Sequence, residues 1–81
     1  MQTILSQVLP TYTNIVVDIR RGLTHTGVRV TGDSTKLRKP GFQADVYVYH
    51  RTQDVSISRI DNKDDVTLKK IVNVVSSFEF R

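Results

Sequence analysis

The sequence predicts an α+β domain: a four-stranded, mostly antiparallel sheet with a C-terminal helix and a short N-terminal helix packed on one face. Three observations point there. Four segments between residues 13 and 60 alternate apolar and polar side chains with period two. The stretch after residue 60 switches to helical spacing. The connections between the alternating segments are short, which suits antiparallel neighbours.

TILSQVL, residues 3–9, places Ile4, Leu5 and Val8 at helical spacing before Pro10, which would end a helix. So short a helix must dock on the rest of the chain, and an extended arm is the competing reading. TNIVVDIRR, residues 13–21, alternates Ile15, Val17 and Ile19 against Val16, Asp18 and Arg20, the pattern of a half-buried strand. Gly22 permits a turn. HTGVRVTG, residues 25–32, alternates Val28 and Val30 against Arg29 and Thr31, with Gly27 as a candidate bulge.

GDSTKLRKPG, residues 32–41, has the glycine, proline and Asp-Ser chemistry of a loop and carries Lys36, Arg38 and Lys39. FQADVYVYHR, residues 42–51, is the clearest strand. Phe42, Ala44, Val46, Val48 and His50 share one face by parity; Gln43, Asp45, Tyr47, Tyr49 and Arg51 share the other. DVSISRI, residues 54–60, is the fourth strand, joined by Thr52 and Gln53, which lack the usual chemistry of a two-residue hairpin. A two-residue loop would set Tyr49 against Ser56, Val48 against Ile57 and Tyr47 against Ser58, keeping apolar side chains together.

DNKDDVTLKKIVNVVSSF, residues 61–78, carries Leu68, Ile71, Val72, Val75 and Phe78 as an amphipathic stripe. Asp61 or Asn62 can cap this helix, and Asp64 and Asp65 suit the positive end of its dipole. Phe78 and Phe80 alternate about Glu79, which offers an extended tail as an alternative. The expected core is Ile15, Val17, Ile19, Val28, Val30, Phe42, Val46, Val48, Val55, Ile57, Leu68, Ile71, Val72 and Val75.

At 81 residues, 38% hydrophobic and 25% charged, the chain reads as one folded domain spanning residues 1–81, with a stability of about 5 kcal/mol. The absence of cysteine excludes a disulfide scaffold, a thiolate zinc site and a cysteine nucleophile, and it favours a cytoplasmic location. No signal-peptide pattern and no run approaching ~18 apolar residues is present, so no membrane association is expected.

The net charge is +4. Residues 1–43 hold Arg20, Arg21, Arg29, Lys36, Arg38 and Lys39 against Asp18 and Asp33, and residues 44–81 balance to zero. A surplus concentrated between positions 20 and 39 suits an anionic partner, and it also serves solubility.

Catalytic and metal motifs fail in detail. GDSTK lacks the second glycine of a phosphate-binding P-loop and is no nucleophile elbow. DNKDD places Lys63 and Val66 where a calcium loop needs an oxygen ligand and a glycine. His25 and His50 lie on separate strands without a spacing that marks acid–base chemistry. We therefore expect no enzyme, no cofactor and no metal.

The expectation is a small binding module that uses the uncovered sheet face. Arg20, Arg29, Tyr47, Tyr49 and Arg51 would share that face, helped by Lys36, Arg38 and Lys39 in the loop. Tyrosines beside arginines suit single-stranded nucleic acid, through base stacking and phosphate neutralisation. They also suit a protein partner, as interface anchors. The alternative is accordingly an accessory protein, of the size found in viruses and mobile elements, that modulates another protein. A homo-oligomer is a third reading, since small sheets expose pairing edges, and Phe78 and Phe80 would be available to seal it. Tyrosine also favours any half-exposed strand, and Asp45 on the same face would repel phosphate.

Overall fold

A computed structural model describes residues 1–36, 38–60 and 65–80, with the side chains of Arg59 and Ile60 left aside. The elements follow the expected order: α1 (Gln2–Val8), β1 (Tyr12–Arg21), β2 (Thr26–Ser34), β3 (Phe42–Tyr49), β4 (Asp54–Ile60) and α2 (Asp65–Glu79). The four strands form one antiparallel sheet in the order β1-β2-β3-β4, so every pairing joins sequence neighbours.

TILSQVL is helical and not an extended arm. The helix ends before Pro10, and Leu5 and Leu9 turn into the core. The Leu9 N–H donates to the Leu5 carbonyl at 2.9 Å and the Tyr12 N–H to Leu9 at 3.1 Å, so the chain leaves α1 directly into β1.

Two irregularities set the faces. In β1 the register shifts between Thr13 and Val16, around Asn14, which adopts φ 53°. Asn tolerates this left-handed geometry better than most residues. The extra residue reverses strand parity, so Tyr12 reaches the core side although Val16 does not. Tyr12 meets Phe42 edge-on at 4.7 Å between ring centroids. Gly27, by contrast, sits in regular pairing opposite Tyr47 and marks no bulge.

The β3–β4 connection differs from the expected two-residue loop. The turn covers residues 50–53, with Gln53 at φ 57°. Tyr49 pairs with Asp54, Val48 with Val55, Tyr47 with Ser56 and Val46 with Ile57, two positions from the expected register. A shift of two keeps every side chain on its expected face. A second irregularity then sets Arg59 opposite Asp45 and Ile60 opposite Ala44. Ile60, which the alternation of DVSISRI places on the open face with Ser56 and Ser58, has its side chain outside the described residues. Arg51 falls in the turn and not on the strand.

Val28, Val30, Ala44, Val46 and Val48 are buried on one sheet face with Leu5, Leu9, Ile15 and Phe42. Burying each larger aliphatic side chain stabilises the fold by roughly 1.5–3 kcal/mol. Ile19, expected in the core, is 37% exposed because β1 is an edge strand. Val17, Val55 and Ile57 are partly buried against the core.

Helix α2 buries Thr67, Ile71, Val74 and Val75. Leu68 and Val72 are only half-buried, so the helix is rotated slightly from the expected stripe. Glu79 lies four residues after Val75 and shares its row. Its side chain is 5% exposed, and the Arg21 Nη1 donates to both carboxylate oxygens at 2.9 and 3.1 Å. Beside it, Thr26 Oγ1 and His50 Nε2 are hydrogen bonded at 3.0 Å, and His50 Nε2 lies 3.7 Å from Glu79 Oε2. A polar clasp thus joins the end of α2 to the hairpin end of the sheet. Among the described residues the tail adds no strand. The Phe80 N–H continues the helical pattern to Ser76, and Phe78 and Phe80 pack on the core, so neither is free to seal an interface. The expected caps Asp61 and Asn62, and Asp64 beside the dipole's positive end, lie outside the described residues; Asp65 stands in the first turn.

Candidate functional site

The sheet face away from the helices holds a cleft of about 340 Å³ lined by Asp18, Arg20, His25, Gly27, Arg29, Asp45 and Tyr47. Its floor follows from register. Across β1, β2, β3 and β4 the partners run Arg20, Gly27, Tyr47, Ser56. Gly27 has no side chain, so a depression opens beside Tyr47. A methyl group there would meet the Tyr47 ring at 3.5 Å, an ordinary contact.

Three rings gather at this end of the face. His25 lies 5.6 Å from Tyr47, edge to face, and 5.5 Å from Tyr49, tilted by 40°. Thr24 Oγ1 bonds to His25 Nδ1 at 3.0 Å and fixes the imidazole. The tight turn beneath is closed by the Gly22 N–H donating to the His25 carbonyl at 2.9 Å.

The next register row alternates charge: Asp18 on β1, Arg29 on β2 and Asp45 on β3. The Arg29 Nε donates to Asp45 Oδ1 at 2.9 Å and its Nη2 to Oδ2 at 3.4 Å. This hydrogen-bonded carboxylate holds the Arg29 guanidinium above its already high ordinary pKa. Arg20 Nε lies 3.7 Å from Asp18 Oδ2. Asp45 is therefore neutralised at short range, and so is Arg29. The cleft carries two arginines and two aspartates in balance.

The expected contact residues separate into groups. Arg20, Arg29 and Tyr47 line the cleft, and Tyr49 joins through His25. Arg51 stands exposed in the β3–β4 turn at the same end. Lys36, Arg38 and Lys39 are exposed in the β2–β3 loop at the opposite end. That loop is anchored by the Thr35 N–H and Oγ1, which donate to the Thr11 carbonyl at 3.1 and 2.9 Å. Gly27 and Ser34 are seven residues apart on β2, so the rings and the loop cations are separated by roughly 23 Å at ~3.3 Å per residue. Among the described residues, Lys36, Arg38, Lys39 and Arg51 form no ion pair.

His25 is the member that the sequence reading did not place in the site. Its parity with Gly27 and Arg29 was the available signal. The two histidines lie on opposite faces of the sheet: His25 against Tyr47 and Tyr49, His50 with Thr26 beside the α2 clasp. Thr26 and Glu79 both approach the same His50 nitrogen, Nε2. A nucleophile–base–acid relay needs the two partners on different ring nitrogens, so this trio lacks that geometry. Among the described residues no group of three His, Cys, Asp or Glu is arranged to hold a metal, and no helix is long and apolar enough to cross a membrane.

The chain matches no protein-family model, no curated protein and no solved structure.

Proposed function

We propose that this protein is a non-enzymatic binding module whose open face takes single-stranded nucleic acid. The observation that carries the reading is the cluster of His25, Tyr47 and Tyr49 at the mouth of the cleft over Gly27. Bases stack on such rings with little regard to sequence, at about 1–3 kcal/mol per base. The charge balance in the cleft, where Arg29 and Asp45 are hydrogen-bonded to each other, supports stacking as the contribution of this face. Phosphate neutralisation falls to Lys36, Arg38, Lys39 and Arg51.

The test is a titration of labelled single-stranded and duplex oligonucleotides at several salt concentrations. With three or four phosphates neutralised, log affinity should fall against log salt with a slope of about −2 to −3 for single strands. Tyr47→Ala and Tyr49→Ala should lower single-strand affinity more than Lys36→Ala, while Lys36→Ala should flatten the salt slope. No binding at low salt rejects the reading, and equal losses from all three variants move the site to the loop.

A second reading is an accessory protein, of viral or mobile-element type, that modulates a protein partner. It is favoured by Leu23, which stands 108% exposed at the β1–β2 turn with Tyr49 and Arg51 at the same end of the sheet. A fully exposed leucine does nothing for the fold. Replacing it by serine should leave oligonucleotide affinity intact and abolish capture of such a partner.

A further inference from the structure

We infer that β1 is the seam of a symmetric homodimer, in which two copies pair antiparallel about Ile19 and extend the sheet. Among the described residues β1 has a strand on one side only. Its outward groups can be identified from the turn. Gly22 and His25 form a hydrogen-bonded pair, and pairing is regular from Arg21↔Thr26 back to Val16↔Thr31. Bonded and non-bonded pairs alternate along an antiparallel ladder. Arg20, Asp18 and Val16 therefore bond inward to β2. Arg21, Ile19 and Val17 direct their N–H and C=O groups outward, away from the sheet.

This edge is unusually apolar. Val16 is 55% exposed and Ile19 37%. The β4 edge is interrupted by its register shift, whereas β1 is regular from Val16 to Arg21. An exposed regular edge of this kind is a template for another strand.

Charge selects both the occupant and the register. A two-fold axis perpendicular to the sheet keeps the faces aligned only when it passes through a residue. Centred on Asp18 it sets two aspartates face to face; centred on Arg20 it does the same with two arginines. Centred on Val17 it puts Asp18 against an apolar Val16. Centred on Ile19 it sets each Asp18 opposite the second copy's Arg20, in the closer, non-bonded type of pair. It also sets Ile19 against Ile19 and forms about six backbone hydrogen bonds from the outward groups of Val17, Ile19 and Arg21. Asp18 and Arg20 are exposed and held to each other only at 3.7 Å, so both are free to re-pair. The overlap ends before Asn14 and clear of α1. The two open faces then lie on one side of an eight-stranded sheet, with Arg20 lining both cleft and seam. The seam does not depend on what the cleft binds.

Sedimentation equilibrium of the whole chain, from micromolar to millimolar concentration, tests this. The expected mass rises to twice the 9.2 kDa of one chain. Asp18→Arg and Arg20→Asp should each weaken association roughly tenfold or more by turning two attractive pairs repulsive. An equimolar mixture of these two variants should associate again. Both arginines of the first variant then face the two aspartates of the second across the seam. Ile19→Pro, which removes an outward N–H and none inside the sheet, should give a monomer with an unchanged circular dichroism spectrum. A wild-type chain that stays monomeric throughout overturns the proposal. So does a dimer indifferent to both charge reversals, or a mixture that fails to associate.

Discussion

Arg21→Ala should destabilise the protein by about 1.5 kcal/mol, although Arg21 itself is 65% exposed. The reason lies in its partner. The Glu79 side chain is 5% exposed and its carboxylate takes both Arg21 hydrogen bonds, at 2.9 and 3.1 Å. Hydrogen bonds to charged groups contribute about 1.5–3 kcal/mol, a figure that the exposure of Arg21 roughly halves. Removing Arg21 also takes a cation away from the negative end of the α2 dipole, at a cost of about 0.5 kcal/mol. Against a total of about 4–12 kcal/mol for a chain this size, the loss is large, and it lowers Tm by about 10 °C. Urea unfolding of Arg21→Ala, Glu79→Gln and the double variant gives the measurement. The double variant should be less destabilised than the sum of the singles by about 1 kcal/mol. Arg20→Ala, measured at a protein concentration low enough to keep the chain monomeric, is the internal control. Its ion pair with Asp18 is exposed on both sides and should be worth almost nothing. If Arg21→Ala unfolds at the wild-type urea midpoint, or the two singles simply add, the clasp is not a stabilising unit and the reasoning fails.

Two further outcomes follow from the packing. A Cβ at Gly41 would collide with the Gly32 carbonyl oxygen, backbone that cannot step aside, whereas one at Gly27 meets nothing nearer than 3.5 Å. Gly41→Ala should therefore cost at least ~2 kcal/mol and Gly27→Ala close to nothing, as read by thermal unfolding. Val46→Ala, at a fully buried position on β3, the strand that α2 packs against, should cost about 2 kcal/mol in urea with an unchanged m-value.

Element type was legible in the residues because period is a property of a whole segment. Alternation in YTNIVVDIR or FQADVYVY survives one uncertain position, and so does the Ile71–Val75–Phe78 row in α2. Register was not legible, because it depends on single residues. One inserted residue near Asn14 reverses the faces of β1, and only the tolerance of Asn for a left-handed backbone hints at it. Thr52 and Gln53 contain no glycine or asparagine, and the chain resolves this by widening the turn to 50–53 with Gln53 strained. Parity placed Arg20, Arg29, Tyr47 and Tyr49 on one face correctly. It could not show that Arg29 and Asp45 neutralise each other, since that requires cross-strand register. Nor could it show that the loop cations stand a sheet's length from the rings. Glu79 was hidden because a lone carboxylate in an apolar tail reads as solvent-facing until its helical row is known.

The nearest-neighbour order of the sheet bears on how the molecule assembles. Each strand pairing closes through one short turn or loop, so the meander can zip up locally and quickly. The core has a different schedule. Its lid is α1 and α2 together, one made before the sheet and one after it. During synthesis a finished four-stranded sheet therefore has an apolar face that α1 alone cannot cover. Val46 and Val48 wait for Ile71 and Val75. At ~5–20 residues per second that interval lasts about a second or more, in which the unlidded sheet is the species most open to aggregation or to a chaperone.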